Sequence, residues 1–189
     1  IKRERMTRLP LTDEELIRSL EESLEQGFLL LMGAYNERIY WHIRRLVVVH
    51  EDAEDAAQET WIRVYRALPK RDRGGSLRSW IYTIATGEAL RSLERRREPM
   101  TALEDLLPSQ LPHAPSDGGQ AVSEEEILLR LQQAILRLPQ KQQLAFNLRY
   151  YEEMSYEEIA RVIDGTPSSA KANYHLAKDR IMKYLKEND

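Results

Sequence analysis

The chain has 189 residues, 42% of them hydrophobic and 31% charged, with a net charge of −3. This composition supports one domain or two small ones and excludes a disordered chain. The absence of cysteine excludes disulfides and thiolate zinc sites and fits a reducing compartment. No apolar run is long enough to cross a membrane and no signal peptide opens the chain, so we expect a cytoplasmic protein.

Helical signals run through the first half of the chain. The segment Thr12–Glu15 is a capping box, which predicts a helix start. Apolar residues recur at three- and four-residue steps over 28–46 and predict a long amphipathic helix. A third helix is predicted over 52–68, capped by Asp52 and stopped by a proline, and a fourth over 76–97, capped by Ser76.

The second half begins after a segment that excludes regular structure. Residues 99–122 contain four prolines and a Gly-Gly pair, which predicts an extended, acidic linker. Capping boxes at Ser123–Glu126 and Ser155–Glu158 predict helix starts, and Pro139 suits a first helical position. One side of the first of these helices carries Ile127, Leu128, Leu131, Ile135 and Leu138. Since no segment alternates with period two, we predict an all-α protein with two small helical domains, residues 1–98 and 123–189.

The stretch "VIDGTPSSAKANYHLAKDRI" (162–181) breaks one helix and starts another. Asp164 and Gly165 tolerate the positive φ of a tight turn, and Thr166 with Pro167 suits a firm helix start. We expect the new helix to bury Ala170, Tyr174, Ala177 and Ile181 and to expose Ser168, Lys171, Ala172 and His175. Short side chains at a helix N-terminus suit entry into a DNA groove. A helical hairpin with a solvated outer face fits this stretch equally well.

A second candidate surface lies on the helix predicted over 52–68. On a helical wheel, its core side carries Ala57, Trp61, Val64 and Leu68, and its opposite side carries Asp55, Gln58, Glu59 and Ile62. An exposed isoleucine within a polar face is typical of a protein-binding surface. Because the acidic residues around it repel DNA, we expect the partner to be a protein. An ordinary surface with one stray isoleucine is the alternative.

Together these segments resemble a bacterial sigma factor of the extracytoplasmic-function group within the sigma-70 family. The resemblance covers the chain from about 28 to 185. It rests on "HEDAEDAAQETWIRVYRAL" (50–68), "GGSLRSWIYTIATGEAL" (74–90), "LPQKQQLAFNLRYYEEMSYEEIA" (138–160) and the helix-turn-helix, in this order. It implies a four-helix region 2 domain and a helix-turn-helix region 4 domain, joined by the proline-rich linker.

The resemblance also implies partners and residues. Core RNA polymerase would bind through its β′ clamp helices to Asp55, Gln58, Glu59 and Ile62, and its β flap would lie near the helix after Pro139. The −10 element, with a base flipped from the melted strand, would meet Lys70, Arg71, Arg73, Ser76, Arg78, Arg91, Arg95, Arg96 and Arg97. The −35 groove would receive Thr166, Ser168, Ser169, Lys171, Ala172, His175 and Lys178. Members of this group are often held inactive by an anti-sigma protein.

The chain departs from the family pattern at Thr86-Gly87, where Arg-Asn is usual, so we expect lost DNA contacts and an unusual −10 preference. We expect no enzyme activity, cofactor or metal, since the sequence offers no nucleophile–base pair, phosphate loop or ligand set. Two other functions remain open. A DNA-binding regulator would use the helix-turn-helix alone and bind DNA tightly without polymerase. A helical adaptor would leave promoter-specific transcription unchanged.

Overall fold

A computed structural model describes residues 11–72, 74–96 and 124–187. Within these ranges the chain forms α-helices, one short 3₁₀ turn at Leu68–Lys70 and no strand, as the sequence predicts. The helices are α1 (Asp13–Glu22), α2 (Leu24–Val47), α3 (His50–Ala67), α4 (Leu77–Arg95), α5 (Glu124–Leu136), α6 (Gln140–Tyr150), α7 (Tyr156–Val162) and α8 (Pro167–Glu187).

Short polar side chains begin several helices where the sequence predicts them. At α1, the Thr12 hydroxyl accepts the Glu15 amide at 3.2 Å while the Glu15 carboxylate accepts the Thr12 amide at 2.8 Å. Ser155 and Glu158 form the same reciprocal box at α7. The Ser76 hydroxyl accepts an amide of the first turn of α4. These local bonds satisfy amides that a helix start leaves without partners.

Two predicted helix starts are wrong by one to three residues. Helix α3 begins at His50 rather than after Asp52, because Val48 takes a left-handed φ of 68° that reverses the chain directly after α2. Pro139 is the cap of α6 rather than its first residue. The predicted capping serine Ser123 and Arg97, the predicted end of α4, lie outside the described residues.

Helices α1 to α4 form the first domain. The apolar stripe of α2 is buried at Leu31, Tyr35, Ile39, Ile43 and Leu46. Trp61 and Val64 of α3 and Leu77 and Ile81 of α4 close the core against this stripe.

Helices α5 to α8 form the second domain. Ile135, Leu138, Phe146, Ala177 and Ile181 belong to one buried cluster. The apolar side of α5 is buried at Ile135 but not along its whole length. Its first two apolar residues are exposed, Ile127 by 52% and Leu128 by 37%, because none of the described residues packs over the start of α5 closely enough to bury them.

The two domains pack against each other. Side chains of α6, α7 and their connection, including Leu148, Met154 and Ile159, lie in the same continuous apolar core as those of α1 to α4. Helix α4 contacts α7 directly. The sequence predicts two domains joined by a linker, and it does not predict this shared core, because its apolar periodicity is equally satisfied by burial within each domain.

Candidate protein and nucleic-acid interfaces

The outward face of α3 carries the four residues predicted to bind a protein. Asp55, Gln58 and Glu59 are exposed, and Ile62 is exposed by 42%. Asp55 and Glu59 are one helical turn apart, a spacing at which two like charges destabilise a helix by about 0.2–0.5 kcal/mol. The face therefore combines mild self-repulsion with exposed apolar surface, which is typical of a binding surface.

A groove of about 520 Å³ lies between this face and α2, and Gln58 and Ile62 of the face belong to its lining. Met32, Asn36, Tyr40 and Trp61 line it. The Trp61 indole Nε1 donates to the Asn36 Oδ1 at 2.9 Å, which fixes the tryptophan ring in the groove wall. The sequence analysis did not identify the α2 residues of the groove, although Met32, Asn36 and Tyr40 follow one another at four-residue steps and therefore share one side of the helix. The groove extends the exposed face of α3 towards α2.

The basic loop after α3 is stabilised by contacts of its residue Arg71. The Arg71 guanidinium donates to the Gly75 carbonyl oxygen at 3.1 Å and lies 5.6 Å from the centre of the Trp80 ring. Gly75 takes a φ of 106°, which favours glycine. Trp80 is half-buried against the core. Lys70 is exposed, and Arg73 lies outside the described residues.

Arg78 and Ser76, two predicted −10 residues, contact the second domain. Arg78 donates to both carboxylate oxygens of Glu158, from Nε at 3.1 Å and from Nη2 at 2.6 Å. The Ser76 hydroxyl donates to the same carboxylate at 3.1 Å. Burial alone would raise the pKa of Glu158, but the bonds from Arg78, Ser155 and Ser76 outweigh it and lower the pKa to about 2. Glu158 is therefore a charged partner of the predicted −10 surface.

The remaining predicted −10 arginines point in different directions. Arg91 and Arg63 both bind the buried carboxylate of Glu88, the latter from Nε at 2.6 Å. Arg96 is held inside the first domain by Asp52 and by the Val47 carbonyl oxygen at 3.1 Å. Arg95 is exposed. Arg91 and Arg95 are thus exposed, the former while paired with Glu88, whereas Arg96 is largely shielded by its partners.

Thr86 and Gly87 have separate environments. Thr86 is buried, and its hydroxyl forms a 2.8 Å hydrogen bond with His42 Nε2. This position therefore faces the core of the domain, so the expected loss of a DNA contact at Thr86 does not follow. Burial, with a smaller contribution from the charge of Arg45, lowers the pKa of His42 to about 3. Gly87 faces an open groove of about 510 Å³ that Arg63 and Arg91 also line.

The helix-turn-helix consists of α7, a turn and α8. Asp164 takes the left-handed φ of 52° that the turn requires. Gly165 does not, since Gly75 is the glycine with positive φ in the described ranges. The Thr166 hydroxyl accepts the Ser169 amide at 3.1 Å, and the Ser169 hydroxyl accepts the Thr166 amide at 3.0 Å. Ser169 thus closes the cap, and its hydroxyl is committed to the backbone.

The outer face of α8 matches the prediction. Ser168, Lys171, Ala172 and His175 are exposed along one side, whereas Ala170, Ala177 and Ile181 are buried. Tyr174, predicted to be buried with them, is half-buried. Lys178 is exposed, and its ammonium lies 5.7 Å from the centre of the Tyr174 ring. In α6, Leu144 and Phe146 are buried, whereas Tyr150 is exposed by 54%.

Within the described ranges, no helix is both long and apolar enough to span a membrane.

An acidic helix face beside an apolar groove, a basic loop and an exposed helix-turn-helix define a helical DNA-binding protein with a second, protein-binding domain. Family comparison assigns both parts: residues 31–98 match the family Sigma-70 region 2, and residues 128–181 match Sigma-70, region 4. The RNA polymerase sigma-H factor of Pseudomonas aeruginosa is 32% identical over 92% of this chain and 93% of its own. The ECF RNA polymerase sigma factor SigW of Bacillus subtilis is 25% identical over 90% of this chain and 95% of its own.

Solved structures share the fold. CnrH, in complex with the cytosolic domain of CnrY, superimposes with a TM-score of 0.71 over 94% of this chain and 99% of its own, at 16% identity. The sigma factor RpoE of Bartonella quintana, in complex with the anti-sigma factor NepR, superimposes with a TM-score of 0.63 over 87% of this chain and 98% of its own, at 22% identity. The chain belongs to the sigma-70 family, in its extracytoplasmic-function group, and is a non-enzymatic transcription initiation factor.

Proposed function

We propose that the exposed face of α3 and the groove beside it bind the β′ clamp helices of core RNA polymerase. The observation that carries the proposal is that Gln58 and Ile62 of this face also line the groove of about 520 Å³, with Asp55 and Glu59 exposed on the same helix face. An amphipathic partner helix could insert apolar residues into the groove and pair basic residues with the carboxylates. The exposed Tyr150 of α6 supports a contact of the second domain with the β flap.

Promoter recognition is divided between the domains. In this proposal, residues 1–98 read the −10 element and assist strand opening through the loop 70–76 and α4. Residues 123–189 read the −35 element through α8, and 99–122 form the linker. Each basic surface is small, so the two domains become selective only when polymerase holds both at a fixed spacing. The exposed Lys171 and His175 at the start of α8 support groove entry.

The structural relatives support one further partner. CnrH is bound to the cytosolic domain of CnrY and the Bartonella quintana factor to an anti-sigma factor. We therefore propose that an anti-sigma protein controls this chain, and that it acts in the cytoplasm, where polymerase is.

The deciding experiment is transcription reconstituted from purified core polymerase, this chain and genomic promoter fragments. We expect start sites that core polymerase alone does not use. Tight DNA binding by the free chain, with transcription unchanged, would favour a DNA-binding regulator. No effect on DNA or on transcription would favour a helical adaptor.

Charge reversal tests the polymerase surface separately. The pair D55K and E59K should abolish binding to core polymerase without loss of helicity, because both side chains are exposed. The pair E14K and E22K on α1 makes the same change of charge at exposed positions and should bind normally. Binding is measured by competition with a labelled wild-type chain. Retained affinity of D55K/E59K would rule out this surface.

A further inference from the structure

The corner between α2 and α3 is strained at Val48. This residue has a φ of 68° and a ψ of −42°, and the Val49 amide donates across it to the Val47 carbonyl oxygen at 2.8 Å. These dihedrals and this hydrogen bond describe a γ-turn with positive φ, which is a rare and strained turn. Val48 is β-branched, so a positive φ is unusual for it, and it is only 3% exposed. A strained residue of this kind persists only where the surrounding contacts hold it.

Arg96 supplies such a contact from the end of α4. Its Nη2 donates to the Val47 carbonyl oxygen at 3.1 Å, the same oxygen that closes the turn, and also to the Asp52 carboxylate. Val47 is the last residue of α2, and Asp52 lies in the first turn of α3. The guanidinium therefore lies between the negative end of one helix and a carboxylate at the start of the next, and both positions favour a cation. One side chain thus ties the ends of three helices together.

The start of α3 depends on this tie. Its N-cap residue, Val49, makes no side-chain capping bond, whereas α1, α4 and α7 each begin with a capping hydroxyl. A side-chain cap would fix the entry of the chain into the helix locally. We infer that the direction in which α3 leaves the corner is set by the turn at Val48 and by the ion pair of Arg96 with Asp52.

Arg96 also borders the surface proposed for polymerase. A groove of about 440 Å³ is lined by Arg96, by Asp52 and by three residues of the exposed face of α3, namely Asp55, Gln58 and Glu59. Asp52 and Asp55 are three residues apart and therefore lie on the same side of α3. A shift of the first turn of α3 would move the carboxylates of this face with it.

We propose that Arg96 is a positioning residue for polymerase binding, which holds the strained corner at Val48 and thereby sets the orientation of the exposed face of α3. The inference rests on the proposed function of that face. It gives Arg96 a role other than the −10 phosphate contact that the family resemblance implies. The Arg96 side chain is 18% exposed, and an Nη2 that donates to a carbonyl oxygen and a carboxylate does not donate the same hydrogens to a DNA phosphate.

The test compares R96A with matched variants of the full chain. R18A removes an exposed arginine of α1 and is the control. V48G, alone and combined with R96A, replaces the strained valine by a residue that adopts a positive φ without strain. Competition with a labelled wild-type chain gives the affinity for core polymerase. Hydrogen exchange of the Ala53 amide, which donates to the Val49 carbonyl oxygen at 3.1 Å, reports on the first turn of α3 in the free chain.

We expect R96A to bind core polymerase about tenfold more weakly, as for a binding-competent corner that is populated at about one tenth. Its Ala53 amide should exchange faster, and R18A should match the wild type in both measurements. V48G combined with R96A should recover most of the affinity, because glycine lets the corner keep its shape without the arginine. An arginine that only stabilised the fold would lower the urea midpoint without changing the affinity of the folded chain.

Several results would overturn the proposal. They are an unchanged affinity in R96A, an affinity that V48G does not recover, and an Ala53 exchange rate equal to that of the wild type. Normal binding of core polymerase, with weaker promoter binding and a salt slope reduced by about 0.9, would instead assign Arg96 to a DNA phosphate. Should R96A lose helicity, R96K keeps the charge without the planar fork and should give a smaller decrease in affinity.

Failure of this inference is distinguishable from failure of the proposed function. If the wild type binds core polymerase and D55K/E59K does not, the proposed surface stands whatever R96A shows. If the wild type does not bind core polymerase, the proposed function fails and the role of Arg96 in polymerase binding fails with it.

Discussion

The guanidinium of Arg78 binds the carboxylate of Glu158 across 80 residues of sequence, with its shortest N–O distance at 2.6 Å. Arg78 belongs to the first turn of α4 and Glu158 to the first turn of α7. The bond joins the surface assigned to the −10 element with a helix of the helix-turn-helix. The hydrogen bond with Glu158 raises the pKa of Arg78, so both groups of the pair are charged at neutral pH.

The strength of this pair can be measured with a double-mutant cycle of R78A and E158Q. Both side chains are largely shielded, at 24% and 16% exposure, and hydrogen bonds to charged groups contribute about 1.5–3 kcal/mol. We expect a coupling free energy of about 1–3 kcal/mol in urea unfolding. The matched cycle is K183A with E187A, whose ammonium and carboxylate are 3.8 Å apart and 75% and 62% exposed. It should give about 0–0.5 kcal/mol. Equal coupling in the two cycles would contradict the interface.

His42 should make the protein less stable in mild acid. The imidazole is fully buried with a pKa of about 3, compared with 6.5 for the unfolded chain. Between these values the unfolded state binds a proton that the folded state does not, so stability falls as the pH decreases. The loss should be about 1.4 kcal/mol for each pH unit below 6.5. Urea unfolding at pH 7.5, 6.5 and 5.5 measures it.

The variant H42Q should remove most of this slope, because glutamine can bond Thr86 but does not titrate. H175Q changes an exposed histidine of α8 and serves as the control, which should leave the slope unchanged. A wild-type slope that survives in H42Q would show that other groups cause the acid sensitivity.

We expect Gly87 to lower the free energy of unfolding, because it lies inside a helix at a position where the groove has room for a side chain. It lies within α4, and a Cβ there would meet no atom within 4 Å. G87A should therefore stabilise the protein by about 0.5–1 kcal/mol in thermal or urea unfolding. The contrast is G27A in α2, where a Cβ would lie 2.5 Å from the Leu20 backbone and should destabilise. Destabilisation by G87A would mean that the groove cannot accept even a methyl group.

Local features of this fold could be predicted from the sequence because their causes are local. Thr12, Ser155 and Thr166 cap their helices with hydrogen bonds to residues three positions away. The exposed face of α3 also follows from the sequence, since a helix that buries Trp61 and Val64 must turn Asp55 and Glu59 outward.

Other assignments depended on residues far away in the chain. Arg96 looks like part of a basic run, yet Asp52 and the Val47 carbonyl hold it inside the first domain. Thr86 looks like a missing DNA contact, yet it bonds the buried His42. The partners of Arg96 and Thr86 lie more than 40 residues away in the sequence, so the helical periodicity gives no sign of these contacts.

The sequence by itself determined the helices, their caps and the face of α3, since propensity, capping and apolar spacing act over a few residues. The family followed from the resemblance of four motifs in their order along the chain. Only the tertiary structure decided that Glu152 and Glu158 meet arginines of the other domain. Ion pairs of this kind depend on the relative placement of two packed surfaces, and a carboxylate that lies in such an interface has the same sequence signature as one in water.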